Sequence, residues 1–312
     1  MLEINEKADS TAEAGSDRKR PATDREFGVK ERKQWQMALR RFLRHRIATV
    51  SLFVFVLLVL FAFIGPLLWK YTYLKFTDDL NVAPNFKHPF GTDETGFDEM
   101  AVVMRGTAQS LKVTFIIGLL GTAVGALWGV VAGYLGGVID SGLMRLADLV
   151  LTIPALAVAA ALARNGSGSV GLIGLILAAV SAPYVARVVR GVVLSLRERE
   201  FIEAARALGA SHWRIMLRHL LPNTLPVIIV NATLLIAAGI LIETALSYVG
   251  FGVQPPDTSL GLLITRAQSA VDTRPWLFYF PGVFIILIAL SVNFIGDGLR
   301  DALDPRQTRE RK

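Results

Sequence analysis

The chain has 312 residues, 53% of them hydrophobic and only 19% charged, and its mean hydropathy is +0.47. Soluble domains average about 45–50% apolar and about 25% charged residues, so this composition favours a membrane protein. The net charge is +7, but the basic residues stand beside apolar runs, which favours membrane topology over nucleic-acid binding. The absence of cysteine excludes disulfides, cysteine–zinc sites and thiol nucleophiles, and the four histidines show no metal-ligand spacing.

The N-terminal residues 1–46 are polar and predict a cytoplasmic tail. The tail is expected to be disordered to about residue 29, and basic and part-helical from Lys30 onward. The first apolar run begins only at Ile47, so no cleavable signal peptide is visible. Residues 47–69 are long enough to cross a bilayer, which takes about 20 residues, and they predict an uncleaved membrane anchor.

Together with residues 47–69, five further apolar runs predict six transmembrane segments. These segments are expected to be helices, because lipid offers no hydrogen-bond partners to an irregular backbone. Pro154 is expected to kink the third span and Pro183 to break the fourth. Residues 70–112 predict a polar extracytoplasmic loop, and residues 165–169 predict a tight turn. The five runs are 113–135, 146–163, 170–186, 225–246 and 276–295.

The distribution of Lys and Arg predicts the orientation of these spans. With the N-terminus inside, the cytoplasmic segments hold twenty Lys and Arg residues, and the segments on the other side hold eight. Both termini, the C-terminal tail 297–312 included, are therefore predicted to be cytoplasmic. Residues 113–296 are predicted to form the membrane core, and the charged stretch 201–223 lies within it. The Lys and Arg distribution predicts that this stretch is on the cytoplasmic side.

A few residues within the spans carry more specific expectations. Asp148 follows Arg145 by three residues, which predicts an ion pair at the membrane edge. Glu243 is expected near the outer end of the fifth span, where it reaches water or caps a turn; a proton relay is the alternative. Four glycines at i+4 spacing give the second span a smooth face for close helix packing: Gly121, Gly125, Gly129 and Gly133.

The stretch 201–223 predicts two short amphipathic helices joined by an elbow at Gly209. Ser211 is a good N-cap for the second helix, and Pro222 is expected to end it. Such a pair of helices between membrane spans is suited to fit into a partner. The predicted apolar stripes are Phe201, Ala204, Ala205 and Leu208 in the first helix, and Trp213, Met216, Leu217 and Leu220 in the second.

No motif in the chain predicts an enzyme or a nucleotide site. The glycines of 166–171 match the dinucleotide-binding pattern, but they follow a membrane helix rather than a strand. The chain contains no Gly-Lys dipeptide and hence no phosphate-binding Walker loop. Any energy for transport is therefore expected from a partner, with no cofactor bound by this chain.

The cytoplasmic stretch resembles the EAA loop of ABC importer permeases. The similarity rests on Glu203-Ala204-Ala205, on Gly209 four residues later, and on Leu221-Pro222. His219 stands where the family consensus has Ile, and the resulting His-x-Leu-Pro-Asn is similar to the peptide-importing branch. The resemblance implies that this loop docks into a groove of an ATPase subunit, with those six residues as the docking core.

Three further stretches resemble the C-type permeases of dipeptide and oligopeptide importers, and the likeness covers residues 38–306. The first is 88–96 and the second is 247–256. The third begins with 280–282 and ends with 296–305. Phe97-Asp98-Glu99 departs from the family's usual Arg-Asp-Val, so an ion pair made by that Arg is absent here.

The resemblance implies a six-helix permease of the type I ABC importer fold in the cytoplasmic membrane. It implies a B-type permease as the other half of the pathway, two ATPase subunits or one fused ATPase that hold ATP and Mg, and an extracytoplasmic substrate-binding protein. Di- and oligopeptides are the implied substrates; a nickel complex or another small solute is the alternative. A secondary transporter is a weaker rival, because no repeat relates the two halves of the chain.

Overall fold

The computed structural model describes residues 34–164 and 168–303, and within them the regular structure is helical, with only isolated β-bridges. The predicted all-α membrane architecture is confirmed. The helices are α1 (Gln34–Arg44), α2 (Arg46–Phe63), α3 (Gly65–Leu68), α4 (Glu99–Leu135), α5 (Gly137–Thr152), α6 (Ala155–Ala163), α7 (Val170–Leu196), α8 (Glu200–Ala207), α9 (His212–Tyr248), α10 (Leu260–Ala267) and α11 (Trp276–Leu303).

Five of these helices are long and apolar enough to cross a membrane: α2, α4, α7, α9 and α11. The pair α5 and α6 is bent by 84° and counts either as a sixth, broken span or as a re-entrant loop. The predicted bend at Pro154 is therefore present, but the prediction that this segment begins at Leu146 is wrong, because α5 begins at Gly137. Helix α5 ends at Thr152 and Pro154 precedes α6, because proline disfavours a helical conformation in the residue before it.

Helix α4 begins at Glu99, so residues 99–112, predicted to belong to a loop, are helical. The Asp98 carboxylate caps the helix by accepting a 2.9 Å hydrogen bond from the backbone N–H of Ala101. Thr107, Gln109 and Ser110 made this stretch look polar. Their side chains are buried against other helices rather than exposed to water, which is why average hydropathy misplaced the boundary.

Two prolines expected to interrupt helices lie within them. Helix α7 continues through the buried Pro183 to Leu196, so the fourth span is longer than predicted. Helix α9 continues through Pro222, so the prediction that this residue ends the helix is wrong. Pro222 directly follows a π-turn at Met216–Leu220, where the regular hydrogen-bond ladder is already interrupted and a missing N–H is tolerated.

Three apolar cores hold the spans together. The first joins α2, α4, α9, α10 and α11, the second joins α4, α7, α8 and α9, and the third joins α4, α6, α7 and α9. Buried members of the first include Leu58, Val103, Leu111, Ile240, Leu260 and Ile288.

Charged pairs attach α5 to α7. The guanidinium of Arg190 binds the Asp140 carboxylate at 2.5 and 2.6 Å, and Arg187 binds Asp148. The prediction that Asp148 forms an ion pair with Arg145 is therefore wrong. The approach of α7 supplies a cation from outside the helix, which sequence spacing along α5 cannot reveal.

Candidate functional site: helix α8 and the elbow that follows it

The candidate docking surface is built by α8 and the elbow that follows it. Gly209 has φ +75°, a left-handed conformation that glycine adopts without strain. The Ser211 hydroxyl accepts a 3.3 Å hydrogen bond from the backbone N–H of Arg214 and caps α9. The predicted pair of helices with a glycine elbow is therefore present, except that the second helix is the first part of a long span.

One face of α8 is packed against the membrane helices. Ile202 and Ala205 are buried in the core that includes Ile215 and Leu220 of α9, together with Val130, Tyr134, Val185, Val189 and Val193 of α4 and α7. Because this face is apolar and enclosed, α8 packs into the core formed by α4, α7 and α9.

The rest of α8 and the elbow is exposed and carries both apolar and charged side chains. Leu208 is 88% exposed and Trp213 is 65% exposed, and Phe201 and Ala204 are exposed beside them. Of the predicted stripe of Phe201, Ala204, Ala205 and Leu208, only Ala205 is buried within the chain, and the other three residues are exposed. In α9, Met216 and Leu220 are buried as predicted, but Trp213 and Leu217 are exposed.

The six residues of the predicted docking core do not share one surface. Glu203, Ala204 and Gly209 are exposed together, and Ala205 faces the core. Leu221 packs at the edge of that core, while Pro222 is exposed on α9. Their docking role stays a prediction.

Polar contacts missed by the sequence reasoning attach the elbow to α4. The Tyr134 hydroxyl lies 3.1 Å from Nδ1 of His212, and the Arg206 guanidinium lies 5.4 Å from the Tyr134 ring centroid. Arg197 donates a 3.1 Å hydrogen bond to the backbone oxygen of Gly133. An aromatic residue one position after Gly133 was the only sequence signal. These contacts make the last turn of α4 part of the docking loop's support.

The glycine ridge of α4 lies against α7. A Cβ atom placed on Gly125 would lie 2.5 Å from the backbone oxygen of Ala182, and one on Gly129 would lie 2.5 Å from that of Ala186. At Gly133 the nearest atom would be Cβ of Val193, at 2.9 Å, and at Gly121 the backbone oxygen of Ala178, at 3.2 Å. The ridge therefore serves a contact within the chain, and displacement of one of these helices must move the other.

Glu243 is fully buried, so the prediction that it reaches water is wrong. Its carboxylate accepts hydrogen bonds from Ser110 of α4 at 3.0 Å and from Ser247 at 2.8 Å. The Ser110 hydroxyl also accepts a 3.1 Å bond from the backbone N–H of Leu260, and Ser247 lies 3.2 Å from Ser259. Glu243 thus joins α4, α9 and the start of α10. Among the residues described, no group of three or more His, Asp or Glu side chains is placed to hold a metal ion.

The chain is similar to known transport proteins over most of its length. Residues 125–309 match the family described as "Binding-protein-dependent transport system inner membrane component", and residues 33–89 match the "N-terminal TM domain of oligopeptide transport permease C". The oligopeptide transport system permease protein OppC of Mycobacterium tuberculosis is 40% identical over 276 residues, covering 86% of this chain and 94% of that protein. OppC of Escherichia coli is 40% identical over 285 residues, covering 89% and 93%.

A solved structure shows the same fold. The inward-facing MetNI methionine ABC transporter matches with a TM-score of 0.51 and 22% identity, covering 66% of this chain and 98% of the matched chain. The match includes most of the helical core, which agrees with the fold implied by the sequence resemblance. On the family match and the two relatives, this chain is a member of the family of binding-protein-dependent transport system inner membrane components.

Proposed function

We propose that this chain is one of two permease subunits of an ABC importer for di- and oligopeptides. Its docking loop receives the movement of ATPase subunits that bind ATP and Mg, and a B-type permease completes the pathway. The observation that carries the proposal is the exposure of Phe201, Leu208 and Trp213 on a segment whose residues Ile202 and Ala205 pack into a core shared with α4 and α7.

The support for mechanical coupling lies in the two faces of α8. A partner groove that buries the exposed face and moves exerts force on Ile202 and Ala205, which transmit it to the helix ends. Close-packed interiors transmit displacement rather than absorbing it. Glu203 adds a carboxylate to the exposed face, where it can accept charge-assisted hydrogen bonds from a basic partner.

The proposed orientation has the docking loop and both termini in the cytoplasm, with residues 69–98 outside. The excess of Lys and Arg in the segments that would then be cytoplasmic supports it. In this orientation the extracytoplasmic binding protein delivers substrate at the surface formed by the 69–98 loop and α10.

The peptide substrate is proposed from the relatives, both of which are named as oligopeptide transport permeases. The alternative, a nickel complex or another small solute, is distinguished by measuring uptake into proteoliposomes that contain the whole complex and its binding protein. ATP-dependent uptake of a labelled tripeptide is expected, and ATP-dependent uptake of another solute class with none of the peptide would contradict the proposal.

The coupling role is tested by Gly209→Val in the complete complex. Valine at φ +75° is strained, so the elbow must change shape and peptide uptake is expected to be lost while the subunit still inserts into the membrane. Gly250→Val is the matched control, because Gly250 also has a positive φ, +91°, and open space around its Cβ position, but lies in the outer loop.

Copurification of the ATPase subunits is the second measurement. Leu208→Ser is expected to release them, since it removes an apolar side chain that contacts little else in the chain. Normal uptake by Gly209→Val, or full ATPase recovery with Leu208→Ser, would refute the assignment of this loop as the coupling element.

A further inference from the structure

A cavity of about 580 Å³ lies on the far side of the molecule from the docking loop. Small-ligand sites have volumes of about 300–1,000 Å³, so this cavity has the right size for a short peptide. Five segments line it: residues 73–74, the 93–99 turn that leads into α4, the loop before α10, α10 itself, and residues 269–277. Its polar lining includes Asp93, Glu94, Glu99, Asp257, Thr258 and Arg266.

Glu99 is the most unusual residue of this cavity. Its side chain is buried, with 5% of the residue exposed, and its Oε1 atom has no hydrogen-bond partner among the described residues. The neighbouring charged groups that act on it are the carboxylates of Asp93 and Asp98. A buried carboxyl beside two others is costly unless a cation or a strong donor joins it, so this position is suited to receive a positively charged group.

A second buried acceptor faces the same cavity. Thr258 is 5% exposed, and its Oγ1 atom has no partner in the described part of the chain. Glu99 and Thr258 are 159 residues apart in the sequence, and both line this cavity. Two unpartnered buried oxygens around one cavity indicate a site whose ligand supplies the hydrogen-bond donors.

The other charged side chains of the lining differ in whether they already have an ion-pair partner. Asp257 is occupied by Arg105, and Glu94 by Arg274. Arg266 of α10 is exposed and has no acidic partner within 34–164 and 168–303. Asp93 accepts hydrogen bonds from Thr95 and Phe97 but is paired with no cation among the described residues. The cavity therefore offers carboxyls without a cation, Glu99 among them, and one guanidinium without an acidic partner, a combination that fits a ligand with both charges.

We propose that this cavity binds a short peptide as a zwitterion, with Glu99 and Thr258 taking its N-terminal ammonium group and Arg266 its carboxylate. The site lies on the side where the binding protein would release its substrate, so it serves as the first peptide site on the permease. This inference rests on the proposed peptide function and adds the chemistry by which this subunit recognises the free N-terminus.

The test uses the purified permease–ATPase complex in nanodiscs without the binding protein. Trialanine and N-acetyl-trialanine are titrated by calorimetry. The wild type is expected to bind trialanine and to bind the acetylated peptide about tenfold more weakly or worse, since acetylation removes the charge. Glu99→Gln is expected to weaken trialanine binding about tenfold and to leave the acetylated peptide unchanged.

Two further variants keep the test decisive. Glu99→Asp retains the charge and is expected to retain most of the binding, which separates loss of charge from loss of fold. Asp272→Asn removes an exposed carboxylate that does not line the cavity, and it should bind as the wild type does. Equal affinity of wild type and Glu99→Gln for trialanine, or no discrimination between the two peptides, would overturn the proposal.

Uptake measurements separate this inference from the proposed function. If wild-type proteoliposomes with binding protein and ATP import the peptide, and Glu99→Gln imports it with unchanged KM, only the cavity proposal fails. If the wild type imports no peptide at all, the proposed function fails with it. If Glu99→Gln weakens only the docking of the binding protein, the cavity is a contact surface for that protein. That result would overturn the proposal of a peptide site.

Discussion

The guanidinium of Arg105 on α4 binds the carboxylate of Asp257, 152 residues later, through two hydrogen bonds. Nε lies 2.9 Å from Oδ1 and Nη2 lies 3.1 Å from Oδ2. Gln109 donates a third bond of 2.7 Å to Oδ2, and the Arg105 guanidinium stands 4.8 Å from the ring centroid of Tyr73. One carboxylate thus fastens the loop before α10 to α4, while its arginine also covers a residue of the first outer loop.

This arrangement predicts a defined pH dependence. Burial acts to raise the pKa of Asp257, but the bonds from Arg105, Gln109 and the backbone N–H of Thr258 outweigh it and lower the pKa below its ordinary value of 3.8. Because the folded pKa is the lower one, the stabilisation is present above about pH 3.9 and is lost as the pH falls through the folded pKa.

Asp257→Asn should therefore unfold at a lower temperature than the wild type at pH 7, by an amount corresponding to about 1 kcal/mol. The difference should be constant above about pH 4 and should shrink as the pH falls below that value. Thermal unfolding of the complex in nanodiscs measures it, and Glu94→Gln at the exposed Arg274 pair is the control. Parallel curves at all pH values would show that Asp257 is not stabilised by these bonds.

The glycine ridge predicts a steric effect at Gly129. A Cβ atom there would lie 2.5 Å from the backbone oxygen of Ala186 and 2.9 Å from the backbone nitrogen of Arg190. Gly129→Ala must therefore separate α4 from α7, and we expect a loss of about 1–3 kcal/mol of stability. Thermal unfolding of the complex measures this loss.

Gly171→Ala is the control for the ridge. Gly171 also lies in a helix but has no atom near its Cβ position, so alanine there should be neutral or stabilising by up to about 1 kcal/mol. Equal effects at the two positions would mean that helix propensity, rather than close packing, explains the result.

Glu243 is predicted to hold helices together rather than to carry protons. Glu243→Leu would leave the hydroxyls of Ser110 and Ser247 without their acceptor, at a cost of about 1–3 kcal/mol for each unsatisfied group. Glu243→Gln keeps one of the two acceptor oxygens and replaces the other by an amide N–H that can donate to a serine hydroxyl, so it should cost less stability than Glu243→Leu and should retain uptake. A stable Glu243→Gln protein that no longer transports would instead support a proton relay.

Much of this protein can be derived from the sequence by itself. Long apolar runs determine that the chain is helical and spans a membrane, because in lipid the backbone N–H and C=O groups of a segment must bond to one another, as they do in a helix. The spacing of Gly125 and Gly129 determines a smooth helix face, and Gly209 with Ser211 determines an elbow followed by a helix. These properties depend on residues close together in the chain, and for that reason they could be predicted.

Other features were decided only by the tertiary structure. Hydropathy describes a segment's average preference for lipid, so it could not show that Ser110 is buried against Glu243 or that α4 therefore begins at Glu99. Periodicity could not decide which face of α8 is covered, because Ile202 and Leu208 are equally apolar. Which of them is buried depends on the ends of α4 and α7, residues distant in sequence that only folding brings together.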